Sequence, residues 1–283
     1  MKLGLALSGG GARGIAHAGV LRALEENDIK VDIIGGTSSG SIVASLYAMG
    51  YKPYYIYELF KKYGKDIVGI NKITFATGVN SILLNKRLKI SGLNTGDIIE
   101  KIYDELAESK GIKTISDIKM PIAIPAVDIT ESNEYIFTNV IPAKSKKNYI
   151  KDISVGKAVR ASSSFPVIFA PCEFGKHKFL DGGTLDNVPT AQVKKLGADK
   201  VISVNFDADA IDEESNIMDI VMKTLDIMGN KISEKSLEKS DLILTIPSDK
   251  TGLLDIEKTK KCYKLGYDTA MKNMPKILEM LTK

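Results

Sequence analysis

Two short apolar segments near the N-terminus each end in glycines and are followed by a helical pattern. Residues 3–7 lead into the glycine string of residues 9–14, and residues 31–34 lead into Gly35 and Gly36. A strand that turns tightly into a helix is the unit of a parallel sheet, because the helix carries the chain back for the next strand. Further strands are predicted at residues 121–127, 134–138, 177–180, 201–204 and 242–246. The sequence therefore predicts an α/β fold with a mainly parallel central sheet covered by helices on both faces.

The chain is long enough to build this architecture as one domain. Its 283 residues, of which 44% are hydrophobic and 26% charged, are typical of a globular protein. We expect a single domain over residues 1–283, with a motif-bearing core at about 2–205, a cap-like helical insertion at about 53–110, and a C-terminal strand and helices at about 207–283. One long helix is predicted to close the chain at about 256–281.

Composition argues against several other classes of protein. No run of eighteen apolar residues occurs, and the N-terminal apolar run is too short for a signal peptide, so we expect a cytoplasmic protein without a membrane span. The net charge of +4 is small, and no basic stripe with interleaved aromatic residues suggests nucleic-acid binding. Cys172 and Cys262 lack metal-ligand spacing, so we expect buried free thiols and no metal site.

The pentapeptide Gly36-Thr37-Ser38-Ser39-Gly40 has the form of a nucleophile elbow. In such an elbow a sharp strand-to-helix turn strains the serine backbone, and the two glycines avoid a collision. The serine then lies at a helix N-terminus, where the dipole and free N–H groups favour negative charge. A chance match in a turn rich in serine and glycine is the alternative. The apolar strand before the motif and the small residues after it favour the elbow, with Ser38 as the candidate nucleophile.

A second motif lies in the first glycine turn, whose residues are Gly9, Gly10, Gly11, Ala12, Arg13 and Gly14. It matches the GxGxxG pattern of dinucleotide-binding folds, which also requires an acidic residue at the end of the second strand. Here that strand ends in glycines, and Asp32 precedes its apolar part, so the dinucleotide interpretation fails. Consecutive glycines instead suit an oxyanion loop, because they expose N–H groups and permit close approach of a tetrahedral acyl centre.

Arg13 has two interpretations that the sequence leaves open. It lies in the first turn of the predicted helix, where a cation opposes the helix dipole. It either forms a structural salt bridge, or it has a functional role in which it steadies the glycine loop or meets a lipid phosphate, since guanidinium has a general affinity for phosphate.

A base must activate the candidate serine. His17 falls on an apolar helix face, which predicts a packed and hydrogen-bonded core histidine, and no spacing argument brings His177 to the serine. Asp181 is the stronger candidate, because it follows an apolar strand and is held in a tight turn by Gly182 and Gly183. Partial burial would raise the pKa of this carboxyl toward the working pH. An ordinary Asp-Gly turn is the alternative.

Together these motifs resemble those of the patatin-like phospholipases, acyl hydrolases that use a Ser-Asp dyad. The resemblance rests on the glycine string with the helix behind it, on the elbow, on residues 161–166 and on residues 181–183, and it covers about residues 2–205. It implies the three-layer sandwich of that family, with Ser38 as nucleophile, Asp181 as general base and the loop from residue 9 to residue 14 as oxyanion hole. It also implies calcium-independent ester hydrolysis without a cofactor, as in the small cytosolic bacterial members.

The leading hypothesis is therefore a serine hydrolase that cleaves carboxylic esters of phospholipids, lysophospholipids or other acyl lipids. Acyl transfer to an alcohol or thiol at the same site is an alternative, because both reactions share the acyl-serine intermediate. A phosphate- or nucleotide-binding regulatory module that uses the glycine loop is a third hypothesis, from a different class. The segments at 53–110 and 207–283 match no family motif, so the lid and the specificity are left open.

Transient contact with a membrane surface is a further expectation. The stretch from residue 69 to residue 93 places Phe75 and Leu83 among cations that include Lys86 and Arg87. Apolar side chains flanked by cations suit insertion at an anionic interface. A helical cap packed on the sheet, with its lysines in water, explains the same pattern.

Overall fold

The strands form one nine-stranded sheet within the described part of the chain. The structure is a computed structural model that describes residues 1–68, 94–143, 145, 148–207, 217–249, 251–252 and 255–282. The strands in chain order are β1 (Leu3–Leu7), β2 (Ile33–Gly36), β3 (Ile122–Asp128), β4 (Asn133–Thr138), β5 (Tyr149–Ile150), β6 (Cys172–Phe174), β7 (His177–Asp181), β8 (Lys200–Phe206) and β9 (Leu242–Ile246).

The sheet has a parallel centre and an antiparallel side. Its order is β5-β4-β3-β2-β1-β8-β9, and the five strands from β3 to β9 in this order pair in parallel. β4 and β7 both pair antiparallel with β3, β6 pairs antiparallel with β7, and β5 is parallel to β4. The predicted mainly parallel sheet is therefore confirmed.

Helices connect and cover these strands. In chain order they are α1 (Ala16–Glu26), α2 (Ser39–Ala48), α3 (Pro53–Val68), α4 (Asp97–Glu108), α5 (Val155–Ser162), α6 (Thr190–Lys195), α7 (Ile217–Leu237), α8 (Thr259–Lys272) and α9 (Met274–Thr282). Short 3₁₀ turns occur at Gly11–Ile15, Ile115–Asp117, Gly182–Thr184 and Ile256–Lys258.

Side chains of β1 alternate between two hydrophobic cores, one on each face of the sheet. Leu5 and Leu7 belong to the larger core, which α1, α2, α5 and α8 share. Ala6, between them, belongs to the smaller core with Val193 of α6 and Val201 of β8. Because successive side chains of a strand point to opposite faces, two cores require helices on both sides. The predicted three-layer α/β arrangement is confirmed, and β1, with no polar side chain, is buried throughout.

The C-terminal helix differs from the prediction of one continuous helix over 256–281. A 3₁₀ turn precedes α8, and the helix is interrupted at Asn273 before α9 begins at Met274. Pro275 explains the break, since proline has no N–H to donate within a continuing helix and its ring collides with the preceding turn. Asn273 ends α8 by donating its side-chain amide to the Thr269 carbonyl at 2.9 Å.

Two further sequence predictions concern the cysteines and membrane-spanning helices. Cys172 and Cys262 are buried and free, as predicted. None of the helices in the described ranges combines the length and the apolar character needed to cross a bilayer. The residues at 69–93, which carry the predicted membrane contact, lie outside the described residues.

Candidate active site

β2 and β7 bring the elbow and Asp181 together. β3 pairs with β2 through Ile122 and Ala123, and with β7 through residues 126–128, while β4 takes its other edge. β2 and β7 therefore follow one another along a single edge of β3. Because β7 runs antiparallel to β3, its last residue, Asp181, points toward the end of β2, where the elbow begins. The pairing pattern, with no contribution from side chains, sets this meeting point.

Ser38 has the strained backbone that an elbow requires. Its φ of 53° and ψ of −124° lie in a backbone region that residues other than glycine avoid. A Cβ on Gly36 would lie 2.2 Å from the Gly40 carbonyl oxygen, and a Cβ on Gly40 would lie 2.4 Å from the Leu7 carbonyl oxygen. Both positions therefore require glycine, as the pentapeptide predicted. The turn is compact because the start of α2 presses directly against the ends of β1 and β2.

Hydrogen bonds hold the strained serine. The Ser38 N–H donates to Ser162 Oγ at 3.1 Å. The Ser38 carbonyl accepts from the Ser41 N–H at 2.8 Å and from the Ser41 hydroxyl at 2.6 Å. The backbone of Ser38 is thus fixed from both sides, and its half-buried side chain lines a cavity.

Asp181 faces the same cavity from the end of β7. Its side chain is 2% exposed, and Oδ1 accepts the Gly183 N–H at 2.8 Å. Oδ2 is buried and accepts no hydrogen bond of standard geometry. Burial raises the pKa of Asp181 to about 7, although the Ser38 hydroxyl and the Gly183 N–H both stabilise the charged form. A carboxyl with this pKa can both take up and release a proton near neutrality.

The glycine loop lines the cavity together with Ser38 and Asp181. Its 3₁₀ turn begins after Gly10, and the first backbone hydrogen bond runs from the Arg13 N–H to the Gly10 carbonyl at 3.2 Å. The N–H groups of Gly10, Gly11 and Ala12 precede that bond, and the first N–H groups of a helical turn have no partner within it. A Cβ on Gly9 would lie 3.1 Å from Ser38 Cβ, so the loop rests directly on the elbow.

Two residues of the predicted oxyanion loop do not line the cavity. Residues 9–12 line the cavity, whereas Arg13 and Gly14 are buried and are not among the residues that line it. The Arg13 Nε donates to the Gly10 carbonyl at 3.3 Å, and its guanidinium lies 5.2 Å from the centre of the Phe206 ring. This contact with the Gly10 carbonyl agrees with the interpretation in which Arg13 steadies the glycine loop.

Neither histidine lines the cavity. His17 is fully buried, its Nε2 lies 2.8 Å from the Ser8 carbonyl, and burial lowers its pKa to about 4. It is the packed, hydrogen-bonded core residue that the sequence predicts. His177 begins β7, at the end opposite Asp181, and its Nδ1 lies 2.5 Å from Asp128 Oδ2.

One group of potential metal ligands occurs among the described residues. Single ligand atoms of Asp128, Glu131 and His177 lie within 4.8 Å of one another. Each of these side chains already has a hydrogen-bond partner, since Asp128 binds His177 and Glu131 accepts from the Tyr135 hydroxyl at 2.7 Å and from Lys176 Nζ at 3.1 Å. The hydrogen bonds account for the cluster without a metal ion.

The cavity, of about 150 Å³, is apolar away from the serine. Most of its apolar lining side chains come from α2, α3, α4, α7, the segment after α5 and the 3₁₀ turn at Ile256–Lys258, namely Ile42, Phe60, Ile67, Ile99, Phe165, Pro166, Ile168, Phe169, Leu225, Met228 and Ile256. Apart from Phe165 and Pro166, which belong to the motif at 161–166, the motifs do not reveal this lining, because tertiary packing assembles it from segments that carry no signature. Asn187, which also lines the cavity, was missed as well, although it follows Asp181 by six residues.

Comparison with known proteins gives the family. The family model described as patatin-like phospholipase matches residues 5–194, which is more than half of the chain. The lysophospholipase NTE1 of Candida albicans is 29% identical over 93% of this chain, and that of Saccharomyces cerevisiae is 32% identical over 72% of it. This chain covers 19% and 11% of those proteins, so it spans less than a fifth of the relatives' length.

Solved structures support the same fold. VipD from Legionella pneumophila superposes with a TM-score of 0.50 at 16% identity, covering 96% of this chain and 66% of that one. Human GIVD cytosolic phospholipase A2 superposes with a TM-score of 0.53 at 11% identity, covering 99% of this chain and 60% of that one. At such identities the likeness concerns the fold alone. The family model carries the assignment, and the chain belongs to the patatin-like phospholipase family, a family of phospholipase and esterase enzymes.

Proposed function

We propose that this chain hydrolyses carboxylic ester bonds of acyl lipids, with phospholipids and lysophospholipids as the substrate class, through a Ser38–Asp181 dyad. The supporting observation is that one cavity is lined by a strained serine, a buried carboxyl with a pKa of about 7 and the glycine loop at residues 9–12. The relatives in Candida albicans and Saccharomyces cerevisiae are named lysophospholipases, which agrees with this substrate class.

In the first half-reaction, Ser38 Oγ attacks the acyl carbon while the Asp181 carboxylate takes up the hydroxyl proton. The N–H groups of Gly10, Gly11 and Ala12 stabilise the oxyanion of the tetrahedral intermediate. Collapse of this intermediate breaks the bond to the leaving oxygen, which receives the proton from Asp181 and departs as an alcohol. An acyl-serine remains.

Water completes the cycle. It loses a proton to Asp181 as it attacks the acyl-serine, and a second oxyanion forms in the same loop. Collapse breaks the bond to Ser38 Oγ, which recovers the proton, and the carboxylic acid leaves. Asp181 thus alternates between base and acid in both half-reactions, which a pKa near the working pH allows.

The shape of the cavity supports an apolar acyl group as the part that is held. Of the lining residues, Ile42 and Ile99 are almost fully buried and mark the buried end, whereas Met228 is 55% exposed and Thr184 is exposed, so we take these two to mark the exposed end. The leaving alcohol must exit to water, so we assign the buried end to the acyl chain and the exposed end to the head group. Residues 1–283 act as one domain in this proposal, in the cytoplasm and in transient contact with a membrane surface that carries the substrate.

A fluorophosphonate probe tests the proposal through intact-mass analysis of wild type, Ser38→Ala and Asp181→Asn. We expect one adduct on the wild type, none on Ser38→Ala, and a loss of hydrolysis of roughly 10⁴-fold in Ser38→Ala, because the nucleophile is removed and alanine fits the turn. A folded wild type that the probe does not label would support a binding module instead. Product analysis with and without an added alcohol separates hydrolysis from transacylation.

A further inference from the structure

Asn187 accepts a backbone hydrogen bond from the glycine loop. The Gly9 N–H is shared between two acceptors of this one residue, the Asn187 carbonyl at 3.2 Å and the side-chain Oδ1 at 3.1 Å. A Cβ on Gly9 would lie 2.6 Å from Asn187 Oδ1 and 3.1 Å from Ser38 Cβ. Gly9 is therefore sandwiched between Asn187 and the elbow, and only glycine fits there.

The residue before Asn187 holds the elbow itself. The Thr37 hydroxyl donates to the Asp186 carbonyl at 2.8 Å, and Thr37 directly precedes Ser38. The Asp186 N–H in turn donates to the Gly182 carbonyl at 2.9 Å, inside the turn that follows Asp181. The dipeptide at 186–187 thus connects the base turn with both the elbow and the glycine loop.

Asn187 also lies next to the carboxyl of Asp181. A Cβ on Gly183 would lie 3.1 Å from Asn187 Oδ1 and 3.1 Å from Asp181 Oδ1, so the two oxygens flank the same point. Like charges within about 6 Å of one another raise the pKa of a carboxyl, so a second negative charge at position 187 would raise the pKa of Asp181. An amide at 187 supplies an acceptor for Gly9 without adding charge beside the proposed base.

We propose that Asn187 is a positioning residue that fixes the glycine loop against Ser38 by accepting the Gly9 N–H, and that its neutral amide keeps a second charge away from Asp181. The inference rests on the proposed function. Oxyanion donors act at about 2.7–3.1 Å from the developing charge, and a misplacement of about 1 Å costs on the order of 10²-fold in rate. Asn187 itself forms no bond to the reacting atoms in this proposal.

Two variants separate the two parts of this role. Asn187→Ala removes the side-chain acceptor, so we expect kcat on a short soluble ester to fall by about 10- to 100-fold while KM changes by no more than about twofold. The pH midpoint should remain that of wild type. Asn187→Asp keeps an acceptor for Gly9 but adds a charge, so we expect the midpoint to move to higher pH and kcat above the new midpoint to recover most of the wild-type value.

Asn139 provides a matched control away from the cavity. Its Oδ1 also accepts a backbone N–H, that of Ile122 at 3.0 Å, and its amide donates to the Ile118 and Met120 carbonyls at 2.6 Å and 3.0 Å. Asn139→Ala should lower the melting temperature without a change in kcat or in the pH midpoint, since it removes a comparable tether from an unrelated loop.

The measurements are kcat, KM, the pH profile, the fluorophosphonate labelling rate and thermal melting of each variant. A folded Asn187→Ala with wild-type kcat, or an Asn187→Asp with an unmoved pH midpoint, would overturn the inference. If Asn187→Ala does not fold, the pH midpoint of Asn187→Asp decides alone. A wild type that is not labelled at Ser38 contradicts the proposed function itself, whereas normal labelling of both wild type and Asn187→Ala contradicts this inference only.

Discussion

The paired strands β3 and β7 carry two buried carboxyls in contrasting environments. Asp181 ends β7 opposite Ala126, and Asp128 ends β3 opposite Phe179. Neither carboxyl is exposed to solvent, at 2% for Asp181 and 0% for Asp128, but Asp181 lies deeper in the protein. The pKa of Asp181 is nevertheless raised to about 7, whereas that of Asp128 is lowered.

Depth of burial and hydrogen bonding together explain the difference in pKa. Burial alone would raise the pKa of Asp128, but hydrogen bonds from His177, Thr130 and the Lys178 N–H outweigh it. Thr130 donates twice to Oδ1, from its N–H at 2.9 Å and its hydroxyl at 2.8 Å, and His177 occupies Oδ2. One oxygen of Asp181 has no such partner. Deep burial with few hydrogen bonds thus leaves Asp181 with a raised pKa, whereas shallower burial with several hydrogen bonds leaves that of Asp128 lowered.

Replacing each carboxyl by its amide gives the sharpest contrast in activity. We expect Asp181→Asn to lose about 10³- to 10⁴-fold in kcat/KM, nearly as much as Ser38→Ala, because the proposed base is removed. Asp128→Asn should remain within about threefold of wild type, since this carboxyl does not line the cavity. Steady-state hydrolysis of a soluble ester measures both. Equal losses in the two variants would break the comparison.

The pH profile tests the raised pKa directly. The free carboxylate is the active form, so kcat/KM should fall about tenfold per pH unit below a midpoint near pH 7 and reach a plateau above it. Asp128→Asn should keep this midpoint, because the pKa of Asp128 is lowered and the group is charged throughout the range. Rate measurements over pH 5–9 on a substrate without ionisable groups decide the point; a flat profile across pH 7 contradicts Asp181 as the base.

Stability should respond to the two amides with opposite signs. A raised pKa means that the folded state binds more protons than the unfolded state, so ionisation of Asp181 lowers the free energy of unfolding as the pH rises from about 4 through 7. Asp181→Asn should therefore have a higher free energy of unfolding than wild type at pH 8, by up to about 4 kcal/mol for a pKa raised from about 4 to about 7. The lowered pKa of Asp128 contributes stability above its unfolded pKa that is lost in acid, so Asp128→Asn should be less stable at pH 8. Urea unfolding at pH 8 measures both changes, and destabilisation of Asp181→Asn would contradict the unsatisfied carboxyl.

The sequence predicted the parts of the site whose local backbone demands particular residues. Gly36 and Gly40 are required because carbonyl oxygens lie within 2.4 Å of where their Cβ atoms would be, and such demands leave a readable pattern. The strand pattern likewise predicted the parallel sheet, because β1 is buried on both faces and so is apolar throughout.

Sequence reasoning failed where packing between distant segments decides. α6 was not predicted, and α7 was expected only as part of unspecified helices at about 207–283, although its Leu225 and Met228 line the cavity. Asn187 acts through a hydrogen bond to Gly9, 178 residues away in the chain, and nothing local marks it. The interruption at Asn273, in contrast, has a local signal in the sequence, Pro275. The prediction of one continuous helix followed the apolar periodicity and gave that proline too little weight.

His177→Ala should have the smallest effect on activity and completes the comparison. Its ring lies beside Asp128, at the end of β7 opposite the cavity, so kcat should remain within about threefold of wild type. Removal of the ring leaves Asp128 Oδ2 buried without its partner, which should cost about 1–3 kcal/mol of unfolding free energy. His177→Gln, whose amide can donate to the same oxygen, should recover part of that loss. A His177→Ala protein with a normal circular dichroism spectrum but the activity of Asp181→Asn would mean that a histidine-based mechanism replaces the proposed dyad.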